Sequence, residues 1–326
     1  MSVIRSEHSA ASLVTYGLRL ATEAAARAAY EWIGRGDKNQ GDQAAISAMH
    51  AELQKLGING VVVIGEGSEA EVGELFNGER FGDPATPAEF DIAVDPVEGT
   101  SYLAKGMTNA MAVVGMAPRG TMFQPGPAFY MEKFAAAPAV KGKIDPAAPT
   151  EEKLRLLSQI LDKPISDLNI YVLEKPRHRD LVERLHRAGA RVALYPAGDV
   201  AGALMAAIPE SGIDALMGTG GVPEGILSAC AIRAMGGEFM ARLDPQLATE
   251  KSAVEAAGMD MRRWYQLEEL VRSDQVFFCA TGITTGLLFE GVERTRTHEK
   301  TETLMIGGPL AERQLLTTFH RRAPTA

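Results

Sequence analysis

The stretch NIYVLEKPRHRDLVERLHRAGARVALYPAGDVAGALMAAIPESGIDALM, residues 169–217, decides the fold. Short apolar runs alternate in it with stretches of helical period. Asn169–Leu173 predicts a strand, Arg179–Arg187 a helix, Arg191–Tyr195 a strand, Val200–Ala207 a helix and Ile213–Met217 a further strand. A helix over Gly225–Met235 and a strand over Val276–Ala280 continue the alternation. Strands alternating with helices imply α/β layering around a largely parallel sheet.

Working toward the N-terminus, Val140–Glu152 carries Gly142, Pro146 and Pro149 and reads as a connection between domains. The expected organisation is an N-terminal α+β subdomain over residues 1–145 and a C-terminal α/β subdomain over 146–326. In the first, Ser12–Trp32 is Ala-rich and predicts a long helix. A second helix is expected to begin near Asp42, with Ala45, Met49, Leu53 and Leu56 on one face. Strands are expected at Val61–Ile64, Phe90–Val94, Met111–Met116 and Phe129–Phe134. Asp244–Arg272 reads as mostly helical. There is no internal repeat and no low-complexity segment.

Composition narrows the function. The chain has 326 residues, 46% of them hydrophobic and 23% charged, with a net charge of −9. That balance is ordinarily globular and leaves no broad basic face for nucleic acid. It does not exclude an anionic substrate, because bound cations and a few placed Lys and Arg invert a local field. The two cysteines, Cys230 and Cys279, are too few and too far apart for a zinc site or a disulfide framework. The start lacks the apolar core of a secretory signal, and no apolar run reaches the roughly 18 residues of a membrane span. A cytoplasmic protein without a membrane partner is expected.

Carboxylates stand where strands end. Glu66 follows Val61–Ile64, Asp95 follows Phe90–Val94, and Glu98 comes three residues on in Asp95-Pro96-Val97-Glu98-Gly99-Thr100. Loops at strand ends converge on the crevices where open sheets bind ligands. Pro96 stiffens the turn, so Asp95 and Glu98 can be held as neighbours. All-oxygen sites suit magnesium or manganese. Gly99-Thr100 then opens a short helix whose N–H groups can receive an anion. Asp-Pro alone is usually a turn and Glu-Gly-Thr alone usually a helix start; their order carries the signal of metal-assisted phosphate chemistry.

The ordered set Gly34-Arg35-Gly36-Asp37-Lys38-Asn39, Gly65-Glu66-Gly67 and Asp95-Pro96-Val97-Glu98-Gly99-Thr100 resembles the class II fructose-1,6-bisphosphatases of bacteria, within the metal-dependent sugar and inositol phosphatase superfamily. Later segments continue the likeness: Tyr130-Met131-Glu132-Lys133, Lys175-Pro176-Arg177-His178, Gly198-Asp199-Val200, Gly220-Gly221-Val222-Pro223-Glu224-Gly225 and Ala280-Thr281-Gly282-Ile283-Thr284. The likeness runs in order from about Thr15 to about Gly307.

The resemblance implies a layered α/β/α/β/α sugar-phosphatase fold of two packed subdomains with the active site between them. It implies metal ligation, by Mn2+ or Mg2+, at Asp42, Glu66, Asp95, Glu98 and Glu224. Substrate contacts are implied at Lys38, Glu98, Gly99, Thr100, Tyr130, Lys175, Arg177, Gly198, Asp199 and Gly221. Catalytic roles fall to Thr100, Asp42 and Glu66, with the Thr100 hydroxyl orienting the attacking water. The expected reaction is hydrolysis of the 1-phosphate of fructose-1,6-bisphosphate, in gluconeogenesis or the reductive pentose phosphate cycle. General symmetry favours a homodimer or tetramer.

Lys175 and Arg177 flank Pro176 on an extended turn and can pair with a second phosphate, Arg as a fork and Lys as a point charge. That favours a bisphosphate over an inositol monophosphate. Sedoheptulose-1,7-bisphosphate is the rival substrate, and a non-catalytic sugar-phosphate sensor is the rival class. His178 and the other histidines read as structural. Gly218-Thr219-Gly220-Gly221 lacks the Lys-Ser/Thr of a nucleotide loop. Two positions depart from the family pattern. Ala197 stands where an acidic residue precedes Asp199 by two, and the Glu66 loop runs Ser68-Glu69-Ala70-Glu71, so either Glu69 or Glu71 is a candidate second acid.

Overall fold

The computed structural model describes residues 2–307 and 312–322. The chain divides into two compact units, Met1–Met122 with Ser273–Ala326, and Phe123–Arg272. The division expected at residues 145 and 146 runs through the second unit. Val140 and Ile144 share one core with Leu154, Leu157 and Leu168, and Pro149 serves as N-cap of the helix Thr150–Leu161. Apolar burial outweighs the local Gly and Pro there.

In the first unit, the helix Ser2–Tyr30 buries Leu18, Ala21, Ala25 and Ala29 at helical spacing against the sheet. The second helix runs Lys38–Lys55, one turn earlier than expected, because Asp37 accepts the Gln40 N–H at 3.1 Å and caps it. Asp42 therefore lies inside the first turns, not at the start. The sheet order is Glu293–Arg294, His298–Gly307, Phe277–Gly282, Met111–Pro118, Phe90–Glu98, Gly60–Ile64, Arg80–Phe81, and Glu312–Arg321 pairs with His298–Gly307. The last hairpin carries no sequence expectation; its strands mix charged, Thr and apolar residues without a single clean period.

The second unit is a six-stranded sheet in the order Trp264–Gln266, Glu238–Leu243, Tyr130–Ala136, Ala215–Gly221, Asn169–Leu173, Arg191–Tyr195. Ile170 and Val172 face a core shared with Leu154, Leu157 and Leu185 of the helices Thr150–Leu161 and Arg179–Arg187. On the opposite face Tyr171 lies against Gly202 of the helix Val200–Ala207. Helices thus cover both faces, as the alternation in residues 169–217 requires. In Asp244–Arg272 only Ala248–Ala256 and Leu267–Leu270 are helical, and Trp264–Gln266 joins the sheet.

The sheets are mixed, not largely parallel. Among the described residues, parallel pairs are confined to Asn169–Leu173 with Arg191–Tyr195 and with Ala215–Gly221, and to Gly60–Ile64 with Phe90–Glu98. All other pairs are antiparallel. A parallel pair needs a crossover, and the alternating segment that supplies crossovers is only one part of the chain.

Candidate active site

In the first unit the strand Phe90–Glu98 does not stop at Asp95. Asp95 pairs with Val113 and Glu98 with Met111, so one extra residue is absorbed between them. Pro96 sits in this bulge, where a missing N–H is tolerated. The consequence is one of phase. Residues three apart on a regular strand point to opposite faces. Val113 and Met111, two apart, point to the same face, and so do their partners Asp95 and Glu98. The bulge turns two carboxylates to one side.

Gly99 follows at φ +88°, and Thr100 opens the six-residue helix Thr100–Lys105. A side chain on Gly99 would strike the Tyr102 ring besides meeting an unfavourable φ. Gly99 is the N-cap, so Thr100 does not fill that role. Lys38 donates from Nζ to Ser101 Oγ at 2.9 Å, which brings the Lys38–Lys55 helix to the start of the short one. Asp42 is four residues from Lys38, on the same helix face. Burial pushes the Asp42 carboxyl up to about 6.

The Glu66 loop is tied down from both sides. Gly65 N–H donates to Asn77 Oδ1 at 2.8 Å, and Glu66 N–H to the Leu75 carbonyl at 3.0 Å. Glu71 accepts from the Ser68 N–H at 2.8 Å and from its hydroxyl at 2.6 Å, which lowers its pKa. Of the two candidate second acids, Glu71 is thus engaged in capping its own short helix, and Glu69 is exposed. Among the described residues, no three His, Cys, Asp or Glu side chains stand close enough to hold a metal ion as they are.

In the second unit the strand Ala215–Gly221 extends through Gly218, Thr219, Gly220 and Gly221 because the antiparallel neighbour Tyr130–Ala136 pairs with all of it. Buried carboxylates close over these glycines. A Cβ on Gly220 would strike Asp199 Oδ2, and one on Gly221 would strike Glu224 Oε2. Lys133 Nζ donates to Asp199 Oδ2 at 2.6 Å. Burial raises the Glu224 pKa; Lys133 opposes the shift and Asp199 adds to it. Asp199 Oδ1 and Glu224 Oε2 are buried without a hydrogen-bond partner. Gly198 accepts the Tyr171 hydroxyl through its carbonyl.

Arg177 is exposed, but its guanidinium is held. Its Nε and Nη2 both donate to the Thr219 carbonyl, at 3.0 and 2.8 Å, and its guanidinium lies 5.1 Å from the Tyr130 ring centroid. His178 is buried and structural. Its Nε2 must accept the Thr219 N–H at 2.7 Å, so Nδ1 carries the proton and donates to the Leu173 carbonyl at 2.7 Å. Burial lowers its pKa. Tyr130 is fixed through its N–H, which donates to the buried Glu250 Oε1 at 2.8 Å. Lys175 begins the turn Pro176–His178 that carries Arg177.

The expected residues therefore fall into small groups. Asp95 with Glu98, and Lys38 with the start of the Thr100 helix, are brought together in the first unit. Tyr130 with Arg177, and Asp199 with Glu224, are brought together in the second. Tyr130 and Lys133 are three apart on one strand and point to opposite faces of it. Lys133, Thr219 and Glu250 were given no role from sequence. Lys133 had a signal: a lysine inside an apolar strand run must be exposed or paired.

Comparison with known proteins gives the class, a phosphoric monoester hydrolase. The chain belongs to the family described as bacterial fructose-1,6-bisphosphatase, glpX-encoded, whose model matches residues 13–320. It is 42% identical over 300 residues to the class 2 fructose-1,6-bisphosphatase of Haemophilus influenzae, covering 88% of this chain and 90% of that one. The same identity and length relate it to fructose-1,6-bisphosphatase 1 class 2 of Escherichia coli, with 88% and 89% covered. Among solved structures, the extragenic suppressor protein suhB from Bartonella henselae matches 59% of this chain and 70% of its own, at 13% identity and a TM-score of 0.34. Among the described residues, no helix is long and apolar enough to cross a membrane.

Proposed function

We propose that this chain hydrolyses the 1-phosphate of fructose-1,6-bisphosphate to fructose-6-phosphate and inorganic phosphate, in the cytoplasm and with Mn2+ or Mg2+ bound. The observation that carries the proposal is the family match over residues 13–320 with relatives 42% identical, and the register shift between Asp95 and Glu98, just before Thr100, supports it. Oxygen ligands of this kind suit hard divalent cations.

Asp42, Glu66, Asp95, Glu98 and Glu224 are the proposed metal ligands. The donors fit: all are carboxylate oxygens, Asp42 is costly to ionise where it lies, and Glu224 keeps a buried oxygen without a partner. Such cations supply polarisation of the phosphoryl group and neutralise the charge of the leaving oxygen. The chain's own residues do the rest. The Gly99 and Thr100 backbone receives the 1-phosphate beside Glu98, assisted by Lys38, and the Thr100 hydroxyl orients the attacking water toward Asp42 or Glu66. Tyr130, Lys175 and Arg177 hold the far phosphate, and Gly198, Asp199 and Gly221 contact the sugar. Asp199 is held in place by Lys133, whose Nζ donates to its Oδ2.

The test is phosphate release from a panel of fructose-1,6-bisphosphate, sedoheptulose-1,7-bisphosphate and inositol monophosphate, with manganese and then with excess EDTA. Turnover of the fructose substrate above the others, abolished by EDTA and restored by metal, is expected. Full turnover in chelator, or preference for inositol monophosphate, overturns the proposal.

A further inference from the structure

Leu75 has a left-handed backbone, with φ +56°, and is wholly buried. A residue other than glycine keeps that conformation only where its surroundings impose it, and such positions gather at functional sites. A carboxylate imposes it here. Glu79 Oε2 accepts the Leu75 N–H at 2.6 Å. The Leu75 carbonyl in turn accepts the Glu66 N–H at 3.0 Å, and it lies so near Gly65 that a Cβ there would strike it. The backbone of Glu66 is thus set by the turn at Leu75, and the turn by Glu79.

Glu79 is itself aimed. Its carbonyl accepts the Val62 N–H at 2.9 Å, which fixes its main chain to the strand Gly60–Ile64. Its other carboxylate oxygen, Oε1, stands 2.9 Å from His50 Nε2. A carboxylate oxygen accepts, so Nε2 is the donor. On the far side of the ring, Nδ1 faces Glu74 Oε1 at 3.6 Å, and Glu74 Oε2 accepts the Ser47 hydroxyl at 2.7 Å. The imidazole also packs on the Phe81 ring, with centroids 5.5 Å apart. His50 and Ser47 belong to the helix Lys38–Lys55, which carries Lys38 and Asp42.

We propose that His50 is a positioning residue for Glu66, acting through Glu79 and Leu75. It orients the carboxylate that holds the left-handed turn, and the turn presents the Glu66 backbone. The same side chain ties the Glu66 loop to the helix that carries Asp42, so the two acids keep one spacing before a cation binds. A site preset in this way spends less of the cation's binding energy on ordering the loop. The inference rests on the proposed roles of Asp42 and Glu66 as metal ligands.

Hydrogen exchange, manganese binding and steady-state kinetics on the full chain test it. His50→Phe keeps a ring against Phe81 and removes the donor, whereas His50→Gln returns an amide N–H near the place of Nε2. In His50→Phe, amide exchange over residues 65–79 is expected to quicken with neither metal nor substrate present. Its Mn2+ affinity by calorimetry should fall about 10- to 100-fold, the usual scale for partners standing behind a metal ligand. Its kcat should fall too, while KM for fructose-1,6-bisphosphate changes little. His50→Gln is expected to stay near wild type in all of these, and His50→Ala gives the same readings as His50→Phe if the phenyl ring prevents folding. Unchanged exchange over residues 65–79, or quickened exchange with Mn2+ affinity and kcat intact, overturns the inference and leaves the proposed function standing. A loss that His50→Gln does not restore assigns His50 to packing and also overturns it. A wild type that binds no Mn2+ and turns over fully in EDTA removes the proposed function, and the inference with it.

Discussion

Lys133 and Asp199 form an ion pair, Nζ to Oδ2 at 2.6 Å, in which the lysine side chain is wholly buried and the aspartate 5% exposed. Buried pairs gain little over apolar packing, but breaking one leaves a charge with no partner. Lys133→Met is therefore expected to destabilise the protein by about 3–5 kcal/mol, and Asp199→Asn by a similar amount. The double variant Lys133→Met/Asp199→Asn should recover much of the loss. Urea unfolding of the four proteins in a double-mutant cycle measures it. Simple additivity would show that the pair is not the unit that holds Asp199.

Arg177 spends two of its donors on the Thr219 carbonyl and lies over Tyr130. The guanidinium is thus fixed in place before any ligand arrives. Arg177→Ala should raise KM for fructose-1,6-bisphosphate by about 10- to 150-fold, the value of a charge-assisted contact of about 1.5–3 kcal/mol, with kcat little changed. Arg177→Lys should restore little, because an ammonium cannot make the same fork. An equal loss on a monophosphate substrate would move Arg177 to the reacting phosphate.

Because Gly99 occupies the helix N-cap, the Thr100 hydroxyl is not needed for capping. Thr100→Ala should leave the melting temperature within a degree or two, yet lower kcat by about 10²–10⁴-fold, the scale of positioned proton transfer. Thr100→Ser should keep most of the activity. Near-normal kcat in Thr100→Ala would assign the water's orientation to another group.

His178 gives a signed dependence on pH. Its folded pKa is lowered by burial, so the unfolded chain binds the proton more readily than the native one. Its contribution is complete above the unfolded pKa of about 6.5 and is lost as pH falls through the lowered folded value. His178→Gln should be less stable than wild type at pH 8, and the gap in melting temperature should narrow toward pH 5. A gap that stays constant across that range would show that protonation of His178 is not felt by the fold.

Much of this molecule was legible in its residues, unevenly. Asn169–Leu173, Arg179–Arg187, Arg191–Tyr195 and Val200–Ala207 appear with the expected bounds: Arg179–Arg187 has one apolar face, while Asn169–Leu173 and Val200–Ala207 are short apolar runs buried nearly throughout. The strand ending in Gly218–Gly221 was read short, since glycine has no side chain to signal a strand and the neighbouring backbone alone prolongs it. The domain division was misplaced by glycines and prolines that lie within a core. Glu66, Asp95 and Glu98 could be singled out as carboxylates where strands end, but the contacts that brace the residues proposed for the site could not. Lys133 reaching Asp199, Glu250 holding Tyr130, and His178 meeting Thr219 join residues 66, 120 and 41 positions apart. No local pattern encodes such distances.

The chain leaves its first unit after Met122 and returns at Ser273. The returning strand Phe277–Gly282 lies between Met111–Pro118 and His298–Gly307, in the middle of the sheet. On a ribosome, then, the N-terminal half of that sheet waits for some 150 residues to emerge before its central ladder can close. The Met111–Pro118 strand, destined for full enclosure, hangs open on one side meanwhile. The second unit is continuous in sequence and can be finished first. Vectorial synthesis thus makes the later-encoded unit the earlier one to mature, and places the nascent chain's greatest exposure to misassembly at Met111–Pro118.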